Sequence, residues 1–380
     1  MLNRLALVTE TFPPEVNGVA MTLNRLSQHL CLRGIDLQLV HPKPRATYNW
    51  GLKGDWESVH VYGFPIPGYP EAQIGMPSRG KLTKMWQQQR PDVVHVATEG
   101  LLGRSAVQAA MRLGIPLVTS FHTNFHEYTR HYHLAWMKSL VIRYLRGIHG
   151  KALVNLVPDP DLIEELHRLG FRGGEYFGRG VDTQLFHSGR RRADLRSSWG
   201  AGEDTTVFLH VSRVAAEKNM PLVLDTYRTF CKEQNSDAKC VVVGDGPERS
   251  SLEKRYPEVI FSGMKFDEEL AAHYASADLF CFASETETFG NVVTEAMASG
   301  CPVVTYDYAA GRQHIVSGKN GITVPLADHA AFARAMVELA QKPELQQKLG
   351  QAARDTAETI PWEGVISEYL RVINRVVAQN

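Results

Sequence analysis

The run from Asp278 to Asp307, DLFCFASETETFGNVVTEAMASGCPVVTYD, decides the fold. Its two ends, Leu279-Phe-Cys-Phe and Val303-Val-Thr-Tyr, are short, continuously apolar and free of polar alternation. That pattern belongs to strands buried on both faces. Between them, a small and apolar segment from Asn291 to Ser299 has the length of a helix. Asn291 is the expected N-cap, and Gly300-Cys301-Pro302 supplies a glycine-then-proline stop. Strand, helix and strand in this order make a parallel crossover unit. Three carboxylates interrupt it: Glu285 and Glu287 in the loop before the helix, and Glu295 inside it.

The same alternation runs through the chain. In the first half, RLALV (4–8) precedes a Pro/Gly loop, the amphipathic VAMTLNRLSQHLCLRG (19–34) and DLQLVHP (36–42). DVVHVA (92–97), the helical GRSAVQAAMRLG (103–114) and PLVTSFH (116–122) follow. The second half restarts with TVFLHVSRV (206–214), helical MPLVLDTYRTFCKEQ (220–234), KCVVVGDG (239–246), helical PERSSLEKRY (247–256), VIFSG (259–263) and helical DEELAAHYASA (267–277). Two such series predict an α/β protein of two doubly wound, Rossmann-like domains. The strandless, basic stretch around residues 183–203 marks the seam. The expected division is 1–185 and 186–360, with residues 361–380 a final helix bearing apolar residues at helical spacing, among them Val365, Tyr369, Ile373 and Val376. The cluster Arg190-Arg191-Arg192 reads as a solvated linker or helix start, with a phosphate-binding patch as the alternative.

Composition narrows the function. Lys+Arg and Asp+Glu number 41 each, so no global field draws in nucleic acid. Five cysteines, scattered and without a C-x-x-C pair, read as reduced thiols rather than a disulfide frame or zinc site. The apolar run Leu5–Val8 is too short for a signal peptide, and no segment approaches bilayer-spanning length. The expected setting is cytoplasmic.

The carboxylates gain meaning from their surroundings. A helix N-terminus at the carboxyl end of a strand is a seat for phosphate, with the backbone N–H groups of Gly290, Asn291 and Val292 available. Glu287 is placed to accept from hydroxyls beside that phosphate. Glu295, roughly 6 Å further along the axis from Asn291, suits the two hydroxyls of a ribose. Arg213 and Lys218, in VSRVAAEKN after an earlier strand, emerge at the same sheet edge. A guanidinium fork and a lysine point charge together neutralise a diphosphate leaving group. Taken singly, these are ordinary surface residues; together they describe a site for a nucleoside-diphosphate sugar.

SETETFGNVVTEAMASGCPVV, VSRVAAEKN and VVVGDGPE resemble the donor domain of the family 4 retaining glycosyltransferases of the GT-B fold. TETFPPEVNGVAMTLNRLSQHLCLRG, GFPIPGYPEAQIG and PLVTSFHTNF resemble that family's acceptor domain, so the likeness spans nearly the whole chain. It implies two Rossmann-like domains facing a cleft, acceptor domain first, with the tail helix crossing back to the N-terminal domain. It also implies hexosyl transfer from a UDP- or GDP-sugar, glucose or mannose, with retention of configuration and without a cofactor or catalytic metal. Carried over residue by residue, Glu287, His122, Arg213 and Lys218 are the expected catalytic set. Gly18, Arg213, Lys218, Phe289, Gly290, Asn291 and Glu295 are the expected donor-binding set. In this reading Glu287 orients the sugar, Arg213, Lys218 and the Gly290–Asn291 amides stabilise the departing phosphate, and His122 lies near the transferring sugar. The base is expected near Met264-Lys265-Phe266. The implied acceptor is a lipid or a lipid-linked carbohydrate.

Competing readings attach to several of these features. His122, His126, His131 and His133 could instead be metal ligands, although no acidic or cysteine partner stands at ligand spacing. Asp159 and Asp161 in PDPD precede a helix and fit a capping role. Gly244-Asp-Gly246 reads as a tight turn. The basic, amphipathic HLAWMKSLVIRYLRGIHGK (133–151) is either a core-packed helix with a solvated face or a surface for peripheral contact with the inner membrane. A GT-B sugar-nucleotide epimerase and a non-catalytic nucleotide-sugar-binding protein remain alternatives to the transferase.

Overall fold

A computed structural model describes residues 2–44, 54–66, 69–122 and 135–379. By contact the chain forms two units: Met1–Arg179 with Glu363–Asn380, and Gly180–Trp362. Its strands are β1 Arg4–Val8, β2 Asp36–Pro42, β3 Glu57–Val61, β4 Gly63–Ile66, β5 Tyr69–Gly75, β6 Val93–Val96, β7 Leu117–Ser120, β8 Val154–Val157, β9 Gly174–Tyr176, β10 Val207–Val211, β11 Lys239–Val243, β12 Ile260–Gly263, β13 Leu279–Phe282, β14 Val303–Tyr306 and β15 Ile322–Val324.

In the first unit, seven parallel strands take the order β3-β2-β1-β6-β7-β8-β9, and β4 and β5 make a separate antiparallel pair. β6, β7 and β8 are buried at every position, as the absence of alternation in their sequences requires. Strand order reverses beside β1, which has β2 on one flank and β6 on the other. The crevice outside the carboxyl ends of two such strands is where open α/β sheets bind ligands. The final helix, Trp362–Ala378, belongs to this unit from Glu363 onward. Tyr369, Val372, Ile373 and Val376 on it are buried. The Tyr369 hydroxyl lies 2.9 Å from Nδ1 of His95 on β6, and Asn374 accepts from the backbone N–H of Leu2 at 2.9 Å.

In the second unit, six parallel strands take the order β12-β11-β10-β13-β14-β15. The order reverses between β10 and β13. Apolar clusters cover both faces, one centred on Leu209, Phe280 and Met297, the other on Phe208, Leu224 and Phe332.

The seam lies earlier than the basic stretch. The chain leaves the first unit at Arg179, and residues 187–204 fold onto the second. Arg196 is buried and donates to the Ser276 carbonyl at 2.8 Å and to Asp278 at 3.0 Å. Arg191 pairs with Asp278 and Arg192 with Glu269, at 3.0 and 2.7 Å, and Arg190 with Glu268 at 3.1 Å. The arginine cluster therefore staples a linker to the helix Asp267–Ser276, and its charges are spent on carboxylates rather than kept for phosphate.

Three buried histidines and the partly buried His314 have proton affinity lowered chiefly by burial: His95 to about 3, and His41, His210 and His314 to about 4. Each stays neutral while folded, whereas in the unfolded chain each takes up a proton below about pH 6.5. Acid thus favours the unfolded state, and stability is lost as pH falls from about 6.5 toward about 4. Denaturant midpoints are expected to drop between about pH 7 and about pH 5 by an amount equivalent to a few kcal/mol. Superimposable curves at the two pH values would contradict this assignment.

Candidate active site

Lys218 and Glu287 meet across the strand-order reversal of the second unit. Lys218 lies on the short 3-10 turn Ala216–Lys218 after β10, and Glu287 in the loop after β13. The Lys218 ammonium lies 2.5 Å from Oε1 of Glu287, 3.5 Å from the Ser284 hydroxyl and 6.0 Å from the centre of the Phe282 ring. Only 15% and 16% of the two side chains is exposed, so each charge depends on the other for compensation. Asn219 follows Lys218 at φ 47°, a left-handed conformation that asparagine tolerates. It donates to Glu285 at 3.2 Å, and His329 lies 2.7 Å from the same carboxylate. Glu285 thus ties three loops together.

Arg213 is more exposed and pairs with Glu217, one helical turn on. Its loop is set by glycines. Val214 donates to the Asp245 carbonyl at 2.9 Å, and Glu248 to that of Val214 at 3.1 Å. A Cβ on Gly244, whose φ is +135°, would stand 1.8 Å from the Ser212 oxygen, and one on Gly246 2.4 Å from that of Val214. The expected tight turn is a close crossing of two backbones that positions Arg213.

The start of the helix expected to seat phosphate differs from expectation by one residue. Gly290, at φ 92°, is the N-cap of the helix Asn291–Ala298, and Asn291 is its first residue, without a side-chain cap. A left-handed turn is needed there because Phe289 is buried in the core while its carbonyl accepts from Ala310 at 2.7 Å. Phe289 anchors the loop from within. Val293 N–H bonds to the Gly290 carbonyl at 3.0 Å, and those of Asn291 and Val292 have no acceptor inside the helix. The Tyr308 hydroxyl donates to the Glu287 carbonyl at 2.9 Å, fixing the loop from the other side. Glu295 accepts from the hydroxyl of Tyr274 at 3.0 Å. Burial, then the Glu295 charge, raises the Tyr274 phenol well above its ordinary value, so it remains a donor.

The first unit has an equivalent seat, but its own carboxylate fills it. At the β1/β6 reversal, Glu10 Oε1 accepts from the N–H of Leu102, the second residue of the helix Leu101–Leu113, at 2.9 Å, and Oε2 from that of Gly75. Glu10 is buried, which raises its pKa despite these bonds. A Cβ on Gly100 would stand 2.0 Å from Oε1. Gly18 opens the helix Gly18–Leu32 behind an Asn17 cap that accepts from Ala20 at 2.9 Å. It is exposed, and its backbone is ordinary for a helix. His122 follows β7 and is buried, with Nδ1 3.0 Å from Arg179.

Of the four-histidine cluster, His126, His131 and His133 lie outside the described residues. Among the described residues no three His, Cys, Asp or Glu group to hold a metal. Asp159 caps the helix Pro160–Arg168, accepting from Asp161 N–H at 2.9 Å. In the helix Ala135–His149, Leu145 and Ile148 are buried, Tyr144 donates to the carbonyls of Glu99 and Gly100, and Arg146 donates to that of Leu169. The side chains of Trp136 and Lys138 lie outside the described residues. Among those described, no helix is long and apolar enough to cross a membrane. Sequence reading missed Glu10, Arg179, Glu217 and Tyr274. Only Glu217 carried a local signal, its i,i+4 spacing from Arg213.

The family described as Glycosyl transferases group 1 matches residues 191–356, and that described as Glycosyltransferase Family 4 matches residues 16–185. The chain is 31% identical, over 99% of its length and 89% of the relative's, to a GDP-mannose-dependent alpha-mannosyltransferase of Corynebacterium glutamicum. It is 27% identical, over 80% of its length and 71% of the relative's, to the alpha-monoglucosyldiacylglycerol synthase of Streptococcus pneumoniae. The fold matches that of sucrose-phosphate synthase from Thermosynechococcus elongatus with a TM-score of 0.82, at 18% identity and over all of both chains.

Gly244→Ala is expected to destabilise the second unit by about 2–4 kcal/mol, since both the added Cβ and the backbone angle are unfavourable. Chemical denaturation checks this, and a loss below about 0.5 kcal/mol would show that the crossing is not tight.

Proposed function

The chain belongs to glycosyltransferase family 4, and from that premise we propose that it moves a hexosyl group from a nucleoside-diphosphate sugar to an acceptor hydroxyl with retention of configuration. The observation that carries this reading is the Lys218–Glu287 pair beside the helix N-terminus at Gly290–Asn291. The first donor to test is GDP-mannose, on the likeness to the Corynebacterium mannosyltransferase. UDP-glucose is the second, on the likeness to the glucosyldiacylglycerol synthase, which also favours a lipid or lipid-linked carbohydrate as acceptor. Such an acceptor would be met at the inner membrane surface by an enzyme of the cytoplasm.

In this reading the diphosphate rests on the N–H groups of Asn291 and Val292 and on the helix dipole. Glu295, oriented by Tyr274, accepts from the ribose hydroxyls. Glu287 accepts from hydroxyls of the sugar, which places Lys218 next to the bond that breaks. As the anomeric C–O bond cleaves, negative charge grows on the β-phosphate, and Lys218 and Arg213 stabilise it without reorganising. The departing phosphate oxygen takes the acceptor's proton while the acceptor oxygen bonds to the anomeric carbon on the same face. Two fixed cations supply the charge a divalent metal would otherwise bring, so transfer should persist in a chelator.

Glu287→Ala is expected to lower kcat by about a hundredfold or more with a small change in KM. Glu295→Ala is expected chiefly to raise the donor KM, by about tenfold or more. Steady-state kinetics with GDP-mannose and UDP-glucose, following release of nucleoside diphosphate, measures both. Wild-type constants in both variants would remove these residues from the site. Turnover of the nucleotide sugar without release of nucleoside diphosphate would favour the epimerase.

A further inference from the structure

The first unit contains a buried guanidinium whose role the family reading leaves unassigned. Arg179 follows β9 and is 4% exposed. One end donates to the carbonyls of Phe177 and Gly178, at 3.1 and 3.2 Å. The other, Nη2, lies 3.0 Å from Nδ1 of His122. A guanidinium only donates, so at that contact Nδ1 accepts. A neutral imidazole that accepts at Nδ1 carries its proton on Nε2.

The geometry is held by a closed circuit of side chains. The Arg179 guanidinium lies over the Phe177 ring, 5.3 Å from its centre, and Phe177 packs against Tyr369 at 5.3 Å between ring centres. The Tyr369 hydroxyl lies 2.9 Å from Nδ1 of His95, whose Nε2 lies 2.6 Å from the hydroxyl of Ser120. Ser120 ends β7, two residues before His122. The circuit therefore closes through a helix that joins the unit only at residue 363.

We propose that Arg179 is a positioning residue whose guanidinium holds His122 as the Nε2–H tautomer, and that the C-terminal helix is part of the frame that keeps it there. The functional consequence rests on the reading of this chain as a transferase in which His122 serves the reaction. Among the described residues, the charged and titratable groups that act on the ring are Arg179, His95 on β6 and His149 at the end of the helix Ala135–His149. The carboxylate of Glu99 faces His149, at 3.5 Å. Burial, followed by the charge of Arg179, lowers the proton affinity of His122 well below the ordinary histidine value. The ring is then a permanent neutral donor. It does not take the acceptor's proton at Nδ1, whose lone pair is committed to Arg179, and Nε2 already bears a hydrogen.

Long-range proton–nitrogen NMR spectra of the full chain labelled with 15N-histidine test the assignment, the His122 signals being identified by their loss in His122→Gln. Expected for the wild type is the Nε2–H tautomer, unchanged between about pH 6 and about pH 8. Arg179→Met should show mixed tautomers or a titrating ring. Its kcat should fall about tenfold or more, while nucleotide affinity, a property of the second unit, stays within about twofold. Arg179→Gln, whose amide can donate to Nδ1, should recover most of the loss. Because Arg179 acts through His122, Arg179→Met should add little to His122→Ala in the double variant. An Nδ1–H or doubly protonated ring in the wild type overturns the proposal, as do unchanged kcat in Arg179→Met or additive losses in the double variant. If Arg179→Met does not fold, the wild-type spectrum and Arg179→Gln decide. If no nucleotide sugar is turned over by the wild type, the transferase reading fails, and the tautomer assignment is judged on the spectra alone.

Discussion

The second unit is organised around a contact between two charges that arise 69 residues apart, the Lys218–Glu287 pair. Such a pair is costly to desolvate and holds only where the backbone leaves neither group another place to go. Here the backbone is constrained at each side. Lys218 precedes Asn219, fixed in a left-handed turn, and Glu287 lies in a loop closed by Gly290, by the carbonyl of Phe289 and by the hydroxyl of Tyr308. Both loops leave the carboxyl edge where strand order reverses. The parallel sheet brings their ends together, and the strained residues keep the ends from relaxing.

The two units share a topology but use its strand-order reversal differently. Each has a reversal of strand order, and each places a helix N-terminus at it. In the second unit that terminus is left to Asn291 and Val292. In the first, Glu10 accepts from the helix and from Gly75, and it sits so close to Gly100 that no larger residue fits there. A carboxylate in an anion seat excludes a phosphate both by occupancy and by charge. The difference between the two strand-order reversals thus has a local electrostatic cause within each sheet.

What was legible in the sequence follows from this physics. Buried parallel strands announce themselves, because burial on both faces removes polar residues from runs such as LFCF and VVTY. The places of Lys218, Glu287 and Glu295 were legible because strand ends and a helix start can be read locally. The N-cap was misplaced by one residue because asparagine is the better cap by chemistry, while the buried Phe289 requires a left-handed residue before Asn291. Tyr274 and Arg179 were not legible. Tyr274 meets Glu295 from the preceding helix, 21 residues away, and Arg179 meets His122 from 57 residues away, and neither stands in a pattern that local reasoning reads. The linker arginines do lead into a helix, Ala193–Ser198, as one reading of them had it, but the carboxylates of Asp278, Glu268 and Glu269 opposite them were not legible.

The return of the last helix to the first unit has the same logic. That unit could bury its β6 and β7 faces with any amphipathic helix. The helix it uses brings Tyr369, whose ring meets Phe177 and whose hydroxyl meets His95. His95 stays neutral at ordinary pH because its surroundings exclude water, and those surroundings are completed by the last residues of the chain. Folding of the first unit therefore cannot be finished before the second has been traversed. The polar groups around His122 come from β6, β7, the residues after β9 and the final helix, so its geometry depends on segments far apart in the sequence.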